Sequence, residues 1–227
     1  METLTDIQFD LNVDRLMEEC RVEPGSSDEA DLRCLVKLAR DIGRPKAAYN
    51  TCFITERDGT RIRIDDTWFE SRALVHNLQS VERVFPLVAT CGPELDNGFA
   101  DKGNMLKEFW WDVIKTRLLG AANRHLSKYL HRRFRLNKTA TMHPGSGDAS
   151  VWPIEQQREL FSLFGDVEGQ VGVQLTDSFL MIPNKTTSGL LFPTETDFRS
   201  CEVCHRENCP SRHAEFNKEL WEAIQHD

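Results

Sequence analysis

The stretch from about Asn104 to Phe134 constrains this chain most. Leu106, Trp110, Val113, Leu118, Ala122, Leu126 and Leu130 form one apolar stripe with no proline to interrupt it, a spacing that predicts a single long helix. Gly120, in its middle, costs roughly 1 kcal/mol relative to alanine and predicts a close packing contact. The basic run His131-Arg132-Arg133 suits a helix C-terminus, where it meets the negative end of the dipole; a solvated helix end is preferred to a basic binding patch. Trp110 belongs to the stripe and is expected in the core, whereas Trp111 points off it, toward a partner or a pocket.

The segments around this helix alternate in type, which predicts an α+β chain. Residues 12–20 read as a short helix. Residues 25–43 read as a second, with Ser26 or Ser27 as cap, acids in the first turn, Leu32, Leu35, Val36 and Ala39 as its apolar face, and Gly43 at its end. Residues 47–66 read as a hairpin turning at Asp58-Gly59. A short helix is expected over 73–79, a buried strand over 81–92, and a helical stretch opening at Pro93. After the long helix come a loop (142–153), a short helix (154–165) and two strands, within 171–183 and 186–192. The organisation expected is one domain over 1–192 and a polar tail over 193–227.

Composition narrows the function. The chain has 227 residues, 40% hydrophobic and 28% charged, with a formal net charge of -8, an ordinary balance for a globular protein. An acidic chain repels polyanions, so nucleic acid and anionic membrane are poor partners. No apolar run is long enough to cross a bilayer, and the first residues lack the pattern of a signal peptide. A cytoplasmic location is expected, with the seven cysteines reduced. Cys91, in a turn after a buried strand, has no adjacent base and reads as a structural thiol rather than a nucleophile.

Two places carry candidate chemistry. The first is the turn Pro144-Gly145-Ser146-Gly147, bracketed by His143 and Asp148. Its glycines permit a tight turn and close approach of a ligand to the backbone, so the loop either cradles a small polar ligand or only connects two helices. Downstream, Thr176, Asp177 and Ser178 offer two hydroxyls and a carboxylate; the alternative is that they tie a strand end.

Between His143 and Gly189 the runs HPGSGD, PIEQQRELF and VQLTDSFLMIPNKTTSG resemble the activation domain of cobalamin-dependent methionine synthase. Leu175, Thr176, Asp177, Ser178, Phe179, Met181, Pro183, Ser188 and Gly189 follow that family's series in order and spacing. The likeness extends over roughly residues 83 to 192. It implies a twisted, mainly antiparallel sheet with packed helices. It also implies a reactivation role: binding S-adenosylmethionine for the reductive remethylation of a corrinoid held by another domain or protein. The partners implied are a corrinoid-binding protein or cobalamin-dependent methyltransferase and a flavodoxin- or ferredoxin-type electron donor. The ligand-binding residues expected on this basis are His143, Pro144, Gly145, Ser146, Asp148, Thr176 and Asp177.

The resemblance also marks departures. Thr141 stands where the family has an arginine, Ser146 where it has the tyrosine of a Pro-Gly-Tyr turn, and Arg124 where it has an acid on the long helix. A later tyrosine falls near Phe198 or Arg199. Threonine cannot replace the two-pronged grip of a guanidinium on a carboxylate, so weak or absent S-adenosylmethionine binding by the family's usual mode is expected.

The second place is Cys201-x2-Cys204-x4-Cys209-x3-His213. Three thiolates and an imidazole satisfy tetrahedral zinc; three cysteines with a remote fourth ligand would suit an iron–sulfur cluster. The further alternative is three unligated thiols. His205 adjoins Cys204 and points elsewhere in most such turns, which makes His213 the better fourth ligand.

Overall fold

A computed structural model describes all residues except 100–102, 148–150, 197, 211 and 227. Its strands are β1 (Glu2–Leu4), β2 (Lys46–Tyr49), β3 (Cys52–Asp58), β4 (Arg61–Ile64), β5 (Thr67–Glu70), β6 (Arg83–Thr90), β7 (Thr139–Met142), β8 (Gln174–Leu175), β9 (Met181–Ile182) and β10 (Thr186–Pro193). The helices are α1 (Val13–Cys20), α2 (Ser27–Ile42), α3 (Arg72–Asn77), α4 (Glu94–Gly98), α5 (Met105–Phe134), α6 (Gln157–Ser162), α7 (Val167–Val171) and α8 (Lys218–His226). Single 3-10 turns occur at Ile154–Gln156 and Ser200–Val203. No helix among the described residues is long and apolar enough to cross a membrane.

Strand β6 is the spine of the main sheet, and every pairing is antiparallel. Along one edge it pairs first with β2 and then with β3. Along the other it pairs with β10, which in turn pairs with β7, the outermost strand on that side. Pro86 sits in this central strand although it has no N–H to give. Its carbonyl accepts from Asn50 N at 3.0 Å, and a strand residue's N–H and C=O point to the same side. The missing donor therefore falls at the jog between β2 and β3, where no ladder bond is lost.

The sheet is covered on both faces, which explains why β6 reads as an unbroken apolar run. One face packs Tyr49, Phe85, Leu87 and Leu191 against Ala122, Leu126 and Leu130 of α5. The other packs Val84, Val88, Met142, Leu190 and Phe192 against Trp152, Leu160 and Phe164. The N-terminal half of α5 leaves the sheet and packs Trp110, Ile114 and Leu118 against α1 and α2.

The sequence predicts α1, α2, α3, α5 and β6 closely. Ser26 caps α2, its Oγ accepting from Glu29 N at 3.3 Å. Other expectations need correction. The hairpin turns at Gly59-Thr60, because Asp58 pairs with Arg61. Trp111 is core: it stacks on Phe99 at 5.3 Å and its indole N–H donates to Leu95 O at 3.0 Å. Leu106 is exposed, since the first turn of α5 projects past its neighbours. Gly120 makes no close backbone contact; an added Cβ would meet only the Arg124 guanidinium. The end of α5, by contrast, is the solvated helix end expected, with Arg132 and Arg133 exposed. The segment after Pro193 packs back on the sheet: Phe198, Val203 and Ile224 are buried in the same cluster as Trp152.

Candidate functional site

A groove runs beside β7 on the α5 face of the sheet. Period-2 alternation builds one wall: Ala140 and Met142 enter the core, whereas Thr139, Thr141 and His143 face the groove. Thr187 and Leu191 of β10 form its floor. Asn123 and Ser127, one helical turn apart on α5, form the opposite wall. This inner chamber measures about 300 Å3. It opens past Thr139, Thr141 and His143 into an outer chamber of about 500 Å3, walled by Ser146, Phe198, Arg199, Ser200, Cys201 and His213.

His143 stands where the two chambers meet. Its Nδ1 lies 2.6 Å from Ser188 O. A carbonyl only accepts, so Nδ1 carries the proton of the neutral ring and Nε2 is left as an acceptor. Burial holds the imidazole below its ordinary value, partly opposed by the bond to Ser188. Gly189 makes room for the ring: a Cβ there would lie 2.6 Å from His143 Nδ1 and 2.6 Å from Met142 O.

Other polar contacts set the width of the groove. Thr187 Oγ1 donates to Asn123 Oδ1 at 2.9 Å, joining sheet to helix. His131 closes one end, its ring nitrogens 2.9 Å from Ser127 O and 3.3 Å from Thr139 Oγ1.

The Pro144–Gly147 turn shapes the rim. Gly145 N donates to Trp152 O at 2.8 Å and Ser146 N to His143 O at 3.1 Å. Gly145 has φ of 72°, and a Cβ on it would meet Ile154 Cδ1 at 2.6 Å. Only glycine satisfies both demands. Pro144 is buried and Gly145 serves the backbone, so neither lines the groove; Ser146 does. Asp148 lies outside the described residues.

Thr176 and Asp177 do not belong to the groove. They form the turn between β8 and β9, where Leu180 N donates to Thr176 Oγ1 at 3.1 Å and Phe179 N to Thr176 O at 3.0 Å. A local tie of this kind consumes the threonine hydroxyl. Arg124, expected to face the ligand in place of an acid, does not line the groove. Arg124 is exposed, and its neighbour Asn123 faces the groove. Thr141 does line the groove, and Phe198 and Arg199 line its outer chamber. Sequence reasoning missed Asn123, Ser127, Thr139 and Thr187. The available signal was the Asn123–Ser127 pair of short polar side chains flanking the apolar stripe.

The four expected metal ligands are near one another in the chain fold but not preassembled. Cys201 and His213 share the outer wall, and His213 N lies 3.4 Å from Cys201 Sγ. Cys204 is buried, its Cβ 3.6 Å from where a Cβ on Gly147 would sit. Cys209 is half-buried. Among the described residues, no group of three or more His, Cys, Asp or Glu side chains is gathered around one point. Cys91 is fully buried, and burial pushes its thiol up to about 12, which keeps it protonated and inert.

No protein-family model matches the chain. No curated protein matches it in sequence. Among solved structures it is similar to the MetH reactivation domain bound to AdoHcy, at 15% identity and a TM-score of 0.56, over 88% of this chain and 80% of that one. At this identity the likeness speaks of architecture. The antiparallel sheet and the long helix across it thus form an architecture similar to that of the MetH reactivation domain.

Proposed function

We propose that the chain is an accessory module of the reactivation type, supporting a cobalamin-dependent methyltransferase whose corrinoid is held elsewhere. The groove between α5 and β7 is its site for an S-adenosyl ligand. One observation carries the reading: a hydroxyl-rich groove with a tautomer-fixed imidazole, on a fold shared with a domain solved with AdoHcy. Hydroxyls, the Asn123 amide and His143 Nε2 suit the ribose and base of a nucleoside.

Among the described residues, no formally charged side chain lines the inner chamber. The amino-acid end of the ligand finds no guanidinium and no carboxylate there, so affinity is low. Titration calorimetry with AdoHcy tests this. The expected Kd is on the order of 100 μM or weaker, about -5 kcal/mol or less favourable. Micromolar binding refutes the loss of grip. No binding at millimolar ligand, with the His143 imidazole resonances unmoved, refutes the groove as the site. A second reading, an electron-transfer or interaction module of a corrinoid protein, is favoured by the thiol-bearing wall of the outer chamber. Absence of AdoHcy binding combined with capture of a corrinoid protein selects it.

A further inference from the structure

The groove does not account for the cysteine run at 201–213. Its backbone is organised around one side chain. The Arg212 guanidinium donates to Cys201 O at 3.1 Å, Cys204 O at 2.9 Å, Arg206 O at 2.6 Å and Ala214 O at 2.9 Å. Arg212 N donates to Cys209 O at 3.1 Å. All three cysteines thus hang on Arg212, and His213 is its neighbour in sequence. His213 N also approaches Cys201 Sγ at 3.4 Å.

We propose that Cys201, Cys204, Cys209 and His213 bind a single thiophilic metal ion of the zinc type, and that the ion fixes the outer wall of the groove. The backbone is already drawn together; the ion supplies the convergence of the side chains. Coupling of metal binding to final ordering is usual, because a finished site seldom exists without its ion. Binding replaces three S–H protons by three S–Zn bonds and adds one imidazole N–Zn bond. Three protons leave to solvent, nothing is oxidised or reduced, and the site carries one net negative charge. Arg212 supplies the adjacent positive charge.

The surroundings fit this role. Val203 is buried within the turn, and the His205 ring is occupied between Phe216 and Trp221, at 4.6 and 4.5 Å. Cys204 rests on Gly147, and Cys201 and His213 line the outer chamber. An ion here therefore ties the tail to the Pro144–Gly147 turn and to the mouth of the groove.

The test is metal analysis of the full chain produced with zinc supplied, together with hydrogen exchange before and after chelation. One zinc per chain is expected, falling to little or none in Cys204→Ser and in Cys209→Ser and unchanged in Cys34→Ser, whose thiol is exposed on α2. Cobalt(II) added to the metal-free chain should give thiolate-to-metal charge-transfer bands, a readout that survives poor folding of a variant. Chelation should speed exchange over residues 139–146 and 198–213. The proposal is overturned by zinc content equal in Cys209→Ser and wild type, by iron with acid-labile sulfide, by a metal-free chain whose thiols form a disulfide, or by unchanged exchange after the ion is removed. None of these measurements uses AdoHcy, so failure here is separate from failure of the proposed nucleoside site.

Discussion

Protonating His143 should cost this protein stability, because the charge would be buried with no counterion among the described residues. The facing groups are Thr139 and Thr141 on β7, Thr187 on β10 and Asn123 on α5, all uncharged, and Arg199 and His213 across the outer chamber. No carboxylate is among them. The bond to Ser188 O survives protonation, since Nδ1 donates in either state, so the penalty is that of desolvating the imidazolium. The folded-state value lies below the unfolded value of 6.5. Above that pH the ring is neutral in both states and no penalty exists. Below it the unfolded chain binds the proton first, and stability falls as pH falls, until the folded value is reached. One proton gives a slope of at most about 1.4 kcal/mol per pH unit. His143→Asn keeps an amide donor near the Nδ1 position and removes the titration. Urea unfolding of both proteins from pH 7.5 to 5.5 isolates the effect. The wild type should lose stability faster than the variant below about pH 6.5. Parallel curves would show that His143 is not held neutral by its surroundings, and the argument fails.

Three further outcomes follow from the same geometry. Gly189→Ala forces a methyl against His143 and Met142 O, and should destabilise the fold by about 1–3 kcal/mol in denaturant unfolding; a neutral result would mean the ring can shift freely. Trp152→Ala empties a fully buried site stacked edge-on to Phe69, and should cost about 3–5 kcal/mol in the same assay. Thr141→Arg returns a two-pronged cation to the groove wall, and should tighten AdoHcy binding about tenfold, roughly 1.4 kcal/mol by calorimetry; unchanged affinity would place the ligand's carboxylate elsewhere.

Much of the architecture was legible in the chain itself. Residues 104–134 carry their helix in local periodicity, and Ser26 and Gly43 bound α2 through capping, an interaction within a few residues. The uninterrupted apolar run of β6 already implied cover on both faces. Elements held by distant partners were hard to read. Strand β7 has four residues, two of them threonine, and is a strand because β10 pairs with it from some fifty residues away. The resemblance between His143 and Gly189 pointed to a fold similar to the observed one. Of the residues it marked for ligand binding, Thr176 and Asp177 stand away from the groove, in a turn that the Thr176 hydroxyl ties.

Periodicity, proline and glycine act over a few residues, and so the long helix, the buried spine strand and the turn at Pro144–Gly147 are written into the chain locally. Which side chains face the groove depends on packing between distant elements. Asn123 rather than Arg124 points in because the helix axis, set by packing on Leu87 and Leu191, fixes its rotation. His143 is held by Ser188 because antiparallel register brings a carbonyl from β10 to its ring. Both are consequences of contacts between elements far apart in the chain: helix on sheet for Asn123, strand on strand for His143.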